Sequence, residues 1–133
     1  MSTGFSHGER QFWFALRLIV RETEGEPRMT EPDGELTIVT LRFDAADSER
    51  LLAVLAKYVV LTRMHDGCRN VDLCSSVTVA GRYLVIEKWA TAADQRAHFD
   101  SDDMVQMAEA CRGLLQGPPD IDLLEGVSAH DLF

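Results

Sequence analysis

Hydrophobic and polar positions change their period several times along the chain, and each change marks an element. Residues 36–43 (LTIVTLRF) are apolar and β-branched, which predicts a strand. After Asp47, the positions Leu51, Leu52, Leu55, Tyr58, Val59 and Thr62 fall at helical spacing, and Glu49 suits the positive end of a helix. This helix runs to about Met64, where His65, Asp66 and Gly67 close it. Residues 71–79 are rich in Val and predict a second strand. Ala80-Gly81 then makes a tight turn, and Arg82–Trp89 (RYLVIEKW) pairs back as the third strand of a hairpin.

Thr91, with Asp94 three residues on, is a capping box that opens a short helix over Ala92–Phe99. Ser101 caps the next helix, with Asp102 and Asp103 in its first turn and Met104, Val105, Ala108, Cys111 and Leu115 on its apolar face. Gly117, Pro118 and Pro119 stop it. Residues 121–132 predict a last strand, with Ile121, Leu123, Val127 and Ala129 on one side. The order is βαββαβ, an α+β, ferredoxin-like arrangement around an antiparallel sheet, with the second helix broken in two. The third strand is apolar on both faces, Tyr83, Val85 and Trp89 on one and Leu84 and Ile86 on the other. A sheet with one wet face would alternate. This one is expected to be covered twice, by its own helices and by a second copy of the chain.

Upstream, Gly25, Pro27, Pro32 and Gly34 lie in a polar stretch (EGEPRMTEPDGE) that reads as a linker. An N-terminal arm and linker, residues 1–34, thus precede a domain over residues 35–133. Met29 could itself serve as a start codon. In the arm, residues 12–20 (FWFALRLIV) fit a strand better than a helix, because Arg17 and Arg21 alternate against Leu16, Leu18 and Val20. The run is too short to span a bilayer. Arg17 inside it, Glu9 before it and the lack of a small-residue cleavage site argue against export.

Composition narrows the partners. At 133 residues, the chain suits one domain that can build a core without metal or disulfide staples. A formal charge of -9 speaks against nucleic acid, whose partners cluster basic residues, and against an anionic membrane surface. Cys68, Cys74 and Cys111 are an odd set without CxxC spacing. On one strand, Cys68 and Cys74 would stand about 20 Å apart, too far for a disulfide. Three free thiols fit a reducing cytoplasm.

No HExxH, GxGxxG, P-loop or GxSxG pattern is present. No metal site is expected, since only His65 and Cys68 approach ligand spacing. His98 is the first candidate for proton chemistry, because imidazole titrates near neutrality and can take a phenolic proton. The competing reading is a structural helix histidine. Trp89 with Tyr83 can line a flat apolar slot for an aromatic ring or serve as plain core. Phe43, Tyr58 and Met64 are core or cavity wall. Glu87, within a covered strand, needs a partner. Arg82, Lys88 or Arg96 is expected to supply a structural ion pair, the competing reading being a catalytic acid.

The block VTVAGRYLVIEKWATAADQRAHFDSDDM, followed by a helix and a Pro-bounded strand, resembles the antibiotic biosynthesis monooxygenase domain of the dimeric α+β barrel superfamily. Its carriers are Trp89 closing the third strand, Glu87 two before it and His98 nine after it. The resemblance covers residues 35–133 and leaves the arm outside. It implies a ferredoxin-like protomer that dimerises face to face, with a pocket between sheet and helices. It further implies oxygenation of phenols and quinols by molecular oxygen, with no metal or flavin. One branch of the family degrades haem, using an Asn on the first strand, a Trp in the first short helix and a His in the next. Here the first strand has no Asn, His98 stands at the Trp position, and the His position falls near Ala108.

The expected function is therefore a cofactor-independent monooxygenase acting on a small electron-rich aromatic. His98 is its base, and Trp89, Tyr83, Phe43 and Tyr58 form its slot. The alternative is a non-catalytic dimeric module that binds a small apolar ligand. A haem-handling protein comes third.

Overall fold

The elements run β1 (Thr37–Asp44), α1 (Ser48–Thr62), β2 (Cys68–Ser75), β3 (Arg82–Trp89), α2 (Ala92–Phe99), α3 (Asp102–Ala110) and β4 (Asp120–Glu125). This is a computed structural model that describes residues 36–129. The N-terminal arm with its expected strand, and the chain beyond residue 129, lie outside the described residues. The strands form one antiparallel sheet in the order β2-β3-β1-β4. The first and third strands occupy its centre, as the ferredoxin-like order requires.

Alternation sets the faces. Val39, Leu41 and Phe43 of β1 and Val85 and Trp89 of β3 are fully buried on the helix-covered face. Ile38, Thr40, Leu84 and Ile86 take the other face, where Thr40 pairs with Ile86 and Leu124 of β4 pairs with Ile38. That outer face is half-buried at Ile38, Thr40, Leu84 and Ile86. The helices bring Leu51, Leu55, Tyr58, Val59, Met104, Met107 and Ala108 onto the inner face.

Each helix starts on a side-chain cap that satisfies an orphan backbone N–H. Asp47 Oδ1 accepts from Arg50 N at 3.2 Å, Thr91 Oγ1 from Asp94 N at 3.0 Å, and Ser101 Oγ from Met104 N at 3.4 Å. The expected capping box closes reciprocally through the side chains, as Thr91 Oγ1 also donates to Asp94 Oδ2 at 2.8 Å.

Four boundaries differ from expectation, among them the end of α3, which stops at Ala110 and leaves Cys111 and Leu115 beyond the helix. β2 begins at Cys68 and ends at Ser75, so Val77 and Val79 are not strand residues. Ser76 Oγ accepts from the backbone N–H of Thr78 and Val79, which bends the chain away from the ladder and leaves Val77 exposed. β4 ends at Glu125. Gly126 N then donates to Leu36 O at 2.8 Å, and Val127 lies in solvent rather than beside Ile121 and Leu123. α1 stops at Thr62, so Met64 is exposed and lines no core.

Candidate active site

Beneath the helices lies a cluster of polar side chains inside an apolar core. Strand alternation turns Glu87 inward with Val85 and Trp89, where it is fully buried. Tyr58 comes from the last turns of α1, and His98 from the last turn of α2. Tyr58 Oη donates to Glu87 Oε2 at 2.5 Å, and Trp89 Nε1 donates to Glu87 Oε1 at 3.0 Å. Tyr58 Oη also lies 2.8 Å from His98 Nε2. A phenol has one proton. With Glu87 ionised and that proton directed at its Oε2, Oη accepts from His98, so the imidazole proton sits on Nε2 and leaves Nδ1 bare.

Two further rings frame the imidazole. Trp89 stacks on it with centroids 4.9 Å apart, and His65 meets it edge-on at 4.6 Å. His65 Nε2 in turn lies 2.7 Å from Asp103 Oδ2, tying the end of α1 to the start of α3. Gln95, one turn before His98 on α2, is buried as well. Among the described residues, both polar atoms of its amide and His98 Nδ1 have no hydrogen-bond partner.

Burial dominates the electrostatics. Desolvation pushes the Glu87 carboxyl up to about 7, although the hydrogen bonds from Tyr58 and Trp89 oppose the shift. Desolvation, then the neighbouring His65, lowers His98 to about 4. Burial and the facing Glu87 raise Tyr58 well above the usual phenol range. Desolvation and Glu87 also push the Cys68 thiol up to about 11. Near neutral pH, His98, Tyr58 and Cys68 are uncharged, and Glu87 is the group in mid-titration.

The expected ion pair at Glu87 is not formed. Arg82 and Lys88 alternate onto the outer face, where Arg82 Nε donates to Asp44 Oδ1 at 2.8 Å. Glu87 takes neutral donors from α1 and from its own strand instead. Of the expected site residues, His98, Trp89 and Tyr58 come together. Phe43 and Tyr83 pair with each other at the opposite end of the strands from Trp89. Six strand residues separate Tyr83 from Trp89, roughly 20 Å, so these two side chains do not wall the same slot. Glu87, His65, Asp103 and Gln95 join the cluster without having been singled out as site residues. For Gln95 the available signal is its spacing of three from His98, which places two polar side chains on one face of a short helix.

A cleft of about 70 Å³ opens between α1 and α3, lined by Val54, Lys57, Tyr58, Leu61, Asp103 and Met107 among others. It has room for a few water molecules. Tyr58 connects the two features, since its ring borders the cleft and its hydroxyl belongs to the buried cluster. Among the described residues, no group of three or more His, Cys, Asp or Glu is placed to hold a metal ion. No helix among them is long and apolar enough to cross a membrane.

The same fold recurs in known proteins. A family model described as antibiotic biosynthesis monooxygenase matches residues 36–110. No curated protein matches the chain. Among solved structures, a protein of unknown function from Nitrosomonas europaea aligns with a TM-score of 0.66 at 19% identity, covering 74% of this chain and 96% of its own. A Mycobacterium tuberculosis protein aligns at 0.62 with 26% identity, over 74% of this chain and 99% of its own. A Pseudomonas aeruginosa protein aligns at 0.63 with 22% identity, over 71% and 96%.

Proposed function

The chain belongs to the antibiotic biosynthesis monooxygenase family, and on that footing we propose that it oxidises a small phenol or quinol with molecular oxygen and no cofactor. Triplet oxygen reacts slowly with singlet organic molecules because their spin states do not match. A phenolate avoids the difficulty by supplying one electron itself, and the two radicals then join. For a phenol the balance is one oxygen molecule consumed, one oxygen atom retained in a quinone and the other leaving as water.

The protein's part is to remove the phenolic proton, hold the ring and exclude water. The observation that carries the reading is the buried Tyr58–Glu87–Trp89–His98 cluster beside the α1–α3 cleft. A fold of this size needs no carboxyl, phenol and imidazole in its dry core. Burying them carries a desolvation cost that their mutual hydrogen bonds offset only in part, and such groups concentrate at functional sites. His98 is the base, through Nδ1. Trp89 and Tyr58 are the aromatic walls nearest to it. At about 70 Å³ the cleft is far below an ordinary ligand pocket, so ring binding requires it to open further.

The same reading makes the functional unit a homodimer. Ile38, Leu84, Ile86 and Leu124 form an apolar patch on the outer sheet face, between Arg82 and Lys88, for a second copy to cover. The three unpaired thiols support a cytoplasmic location. One observation favours the alternative, a ligand-binding module: His98, lowered to about 4, is by itself a weak base. Oxygen uptake by metal-free protein, with mass analysis of the product, decides between the two. Uptake with one oxygen atom of the oxygen molecule incorporated into the product supports the oxygenase, whereas binding of the quinol without uptake supports the module.

A further inference from the structure

Glu87, Tyr58 and His98 form an unbroken line of hydrogen bonds, and Trp89 dictates where its protons can stand. Trp89 Nε1 donates to Glu87 Oε1, so that oxygen is occupied by a donor. A proton arriving on the carboxyl is favoured on Oε2, where Tyr58 Oη at 2.5 Å accepts its hydrogen bond while Oε1 keeps the one from Trp89. Tyr58 carries a single proton and has a neighbour on each side, Glu87 Oε2 and His98 Nε2 at 2.8 Å. If the carboxyl is ionised, Tyr58 donates to Glu87 and accepts from His98 Nε2–H. If the carboxyl is protonated, Oε2–H donates to Tyr58, and Tyr58 donates to a bare Nε2. The imidazole proton then sits on Nδ1.

We propose that Glu87 and Tyr58 are positioning residues that set the tautomer of His98, so that its Nδ1 accepts a substrate proton only while Glu87 is ionised. The use of that nitrogen rests on the oxygenase reading above; the line of hydrogen bonds does not. The transfer balances. A phenolic O–H breaks as Nδ1–H forms, Nε2–H passes to Tyr58 Oη, and the Tyr58 proton passes to Glu87 Oε2. Phenolate remains, with His98 and Tyr58 neutral and the proton resting on Glu87. No buried imidazolium is needed, which removes the objection that His98 alone is a weak base.

The other titratable groups facing this line are His65 edge-on to His98, Asp103 behind His65 on α3, and the Cys68 thiol on β2. His65 touches the His98 ring directly, and a variant separates its influence. The experiment is ¹⁵N NMR of the imidazole nitrogens in the full chain from pH 5 to pH 9, alongside the ¹³C shift of the Glu87 carboxyl, with no ligand present. In wild type, His98 stays neutral while the bare nitrogen changes from Nε2 at low pH to Nδ1 at high pH. The change shares the midpoint of the Glu87 titration, near 7. Tyr58→Phe and Glu87→Gln each hold His98 in one tautomer mixture across the range, so either suffices if the other fails to fold. His65→Gln retains the switch. A pH-independent tautomer in wild type overturns the proposal, as does a switch that survives Tyr58→Phe or disappears in His65→Gln. The two readings fail separately: a switch without oxygen uptake removes the oxygenase, and uptake without a switch removes the tautomer control.

Discussion

Glu87 and His98 are buried neighbours whose proton affinities move in opposite senses, and this gives the pair a measurable signature in stability. The Glu87 carboxyl rises from 4.5 to about 7 on folding, so its contribution is present below pH 4.5 and is lost as pH rises through about 7. His98 falls from 6.5 to about 4, so its contribution is present above pH 6.5 and is lost as pH falls through about 4. The two nearly cancel between pH 4.5 and 6.5. Glu87→Gln removes one of them. Relative to wild type, that variant should gain roughly 3 kcal/mol between pH 4.5 and pH 7, since each tenfold change in proton affinity is worth about 1.4 kcal/mol. Urea unfolding at the two pH values checks this, and a constant difference would show that folding leaves the carboxyl's proton affinity unchanged. At this scale the sequence singles out His98 and Trp89, because an imidazole on a short helix and an indole closing an apolar strand are unusual choices. It does not reveal the partner of Glu87. The hydroxyl that binds it comes from Tyr58, 29 residues earlier and on another element, and only the packing of α1 on β3 joins them.

The elements that carry the site depend on a few backbone details. Gly67 follows α1 with φ +79, a left-handed conformation that favours glycine. Its carbonyl accepts from Ala90 N at 2.8 Å, and a Cβ there would collide with the Asp94 carboxylate. Gly67→Ala should therefore cost about 1–2 kcal/mol from the backbone alone, and more from displacing the Asp94 side chain that binds the α2 cap. Thermal unfolding of the variant tests this, and an unchanged midpoint would show that the turn is not constrained. The starts of all three helices were legible, because Asp47, Thr91 and Ser101 each satisfy a specific backbone donor. The ends of β2 and β4 were not. Val77, Val79 and Val127 have strand propensity, but a sheet strand exists only where a partner ladder does, and β3 begins pairing at Arg82.

For the whole molecule, the outer sheet face is the feature with the largest consequence. Its apolar centre at Leu84 and Ile86 leads to the expectation of a two-fold dimer, which sedimentation of the 14.9 kDa chain should show as twice that mass. Ile86→Glu places a charge in the middle of that face and should yield monomer with unchanged helix content by circular dichroism. A wild-type monomer at micromolar concentration would leave the face without its proposed role. The fold was legible almost throughout, since the βαββαβ order and the apolar faces of β1 and β3 can be read from periodicity alone. The site was legible in part. Phe43 and Tyr83 have the right chemistry for an aromatic slot, but antiparallel register places them at the far end of the strands from Trp89.

If the buried cluster activates a phenolic substrate toward oxygen, the metal-free protein consumes oxygen when given a quinol. Wild type should consume oxygen and form a hydroxylated quinone, with one atom of the oxygen molecule retained in the product and the other released as water. His98→Ala should lose activity about 10²-fold or more, as expected for a missing general base, while retaining fold and assembly. No oxygen uptake by wild type with any quinol or polyphenol, or equal rates for wild type and His98→Ala, would rule out this role for the cluster.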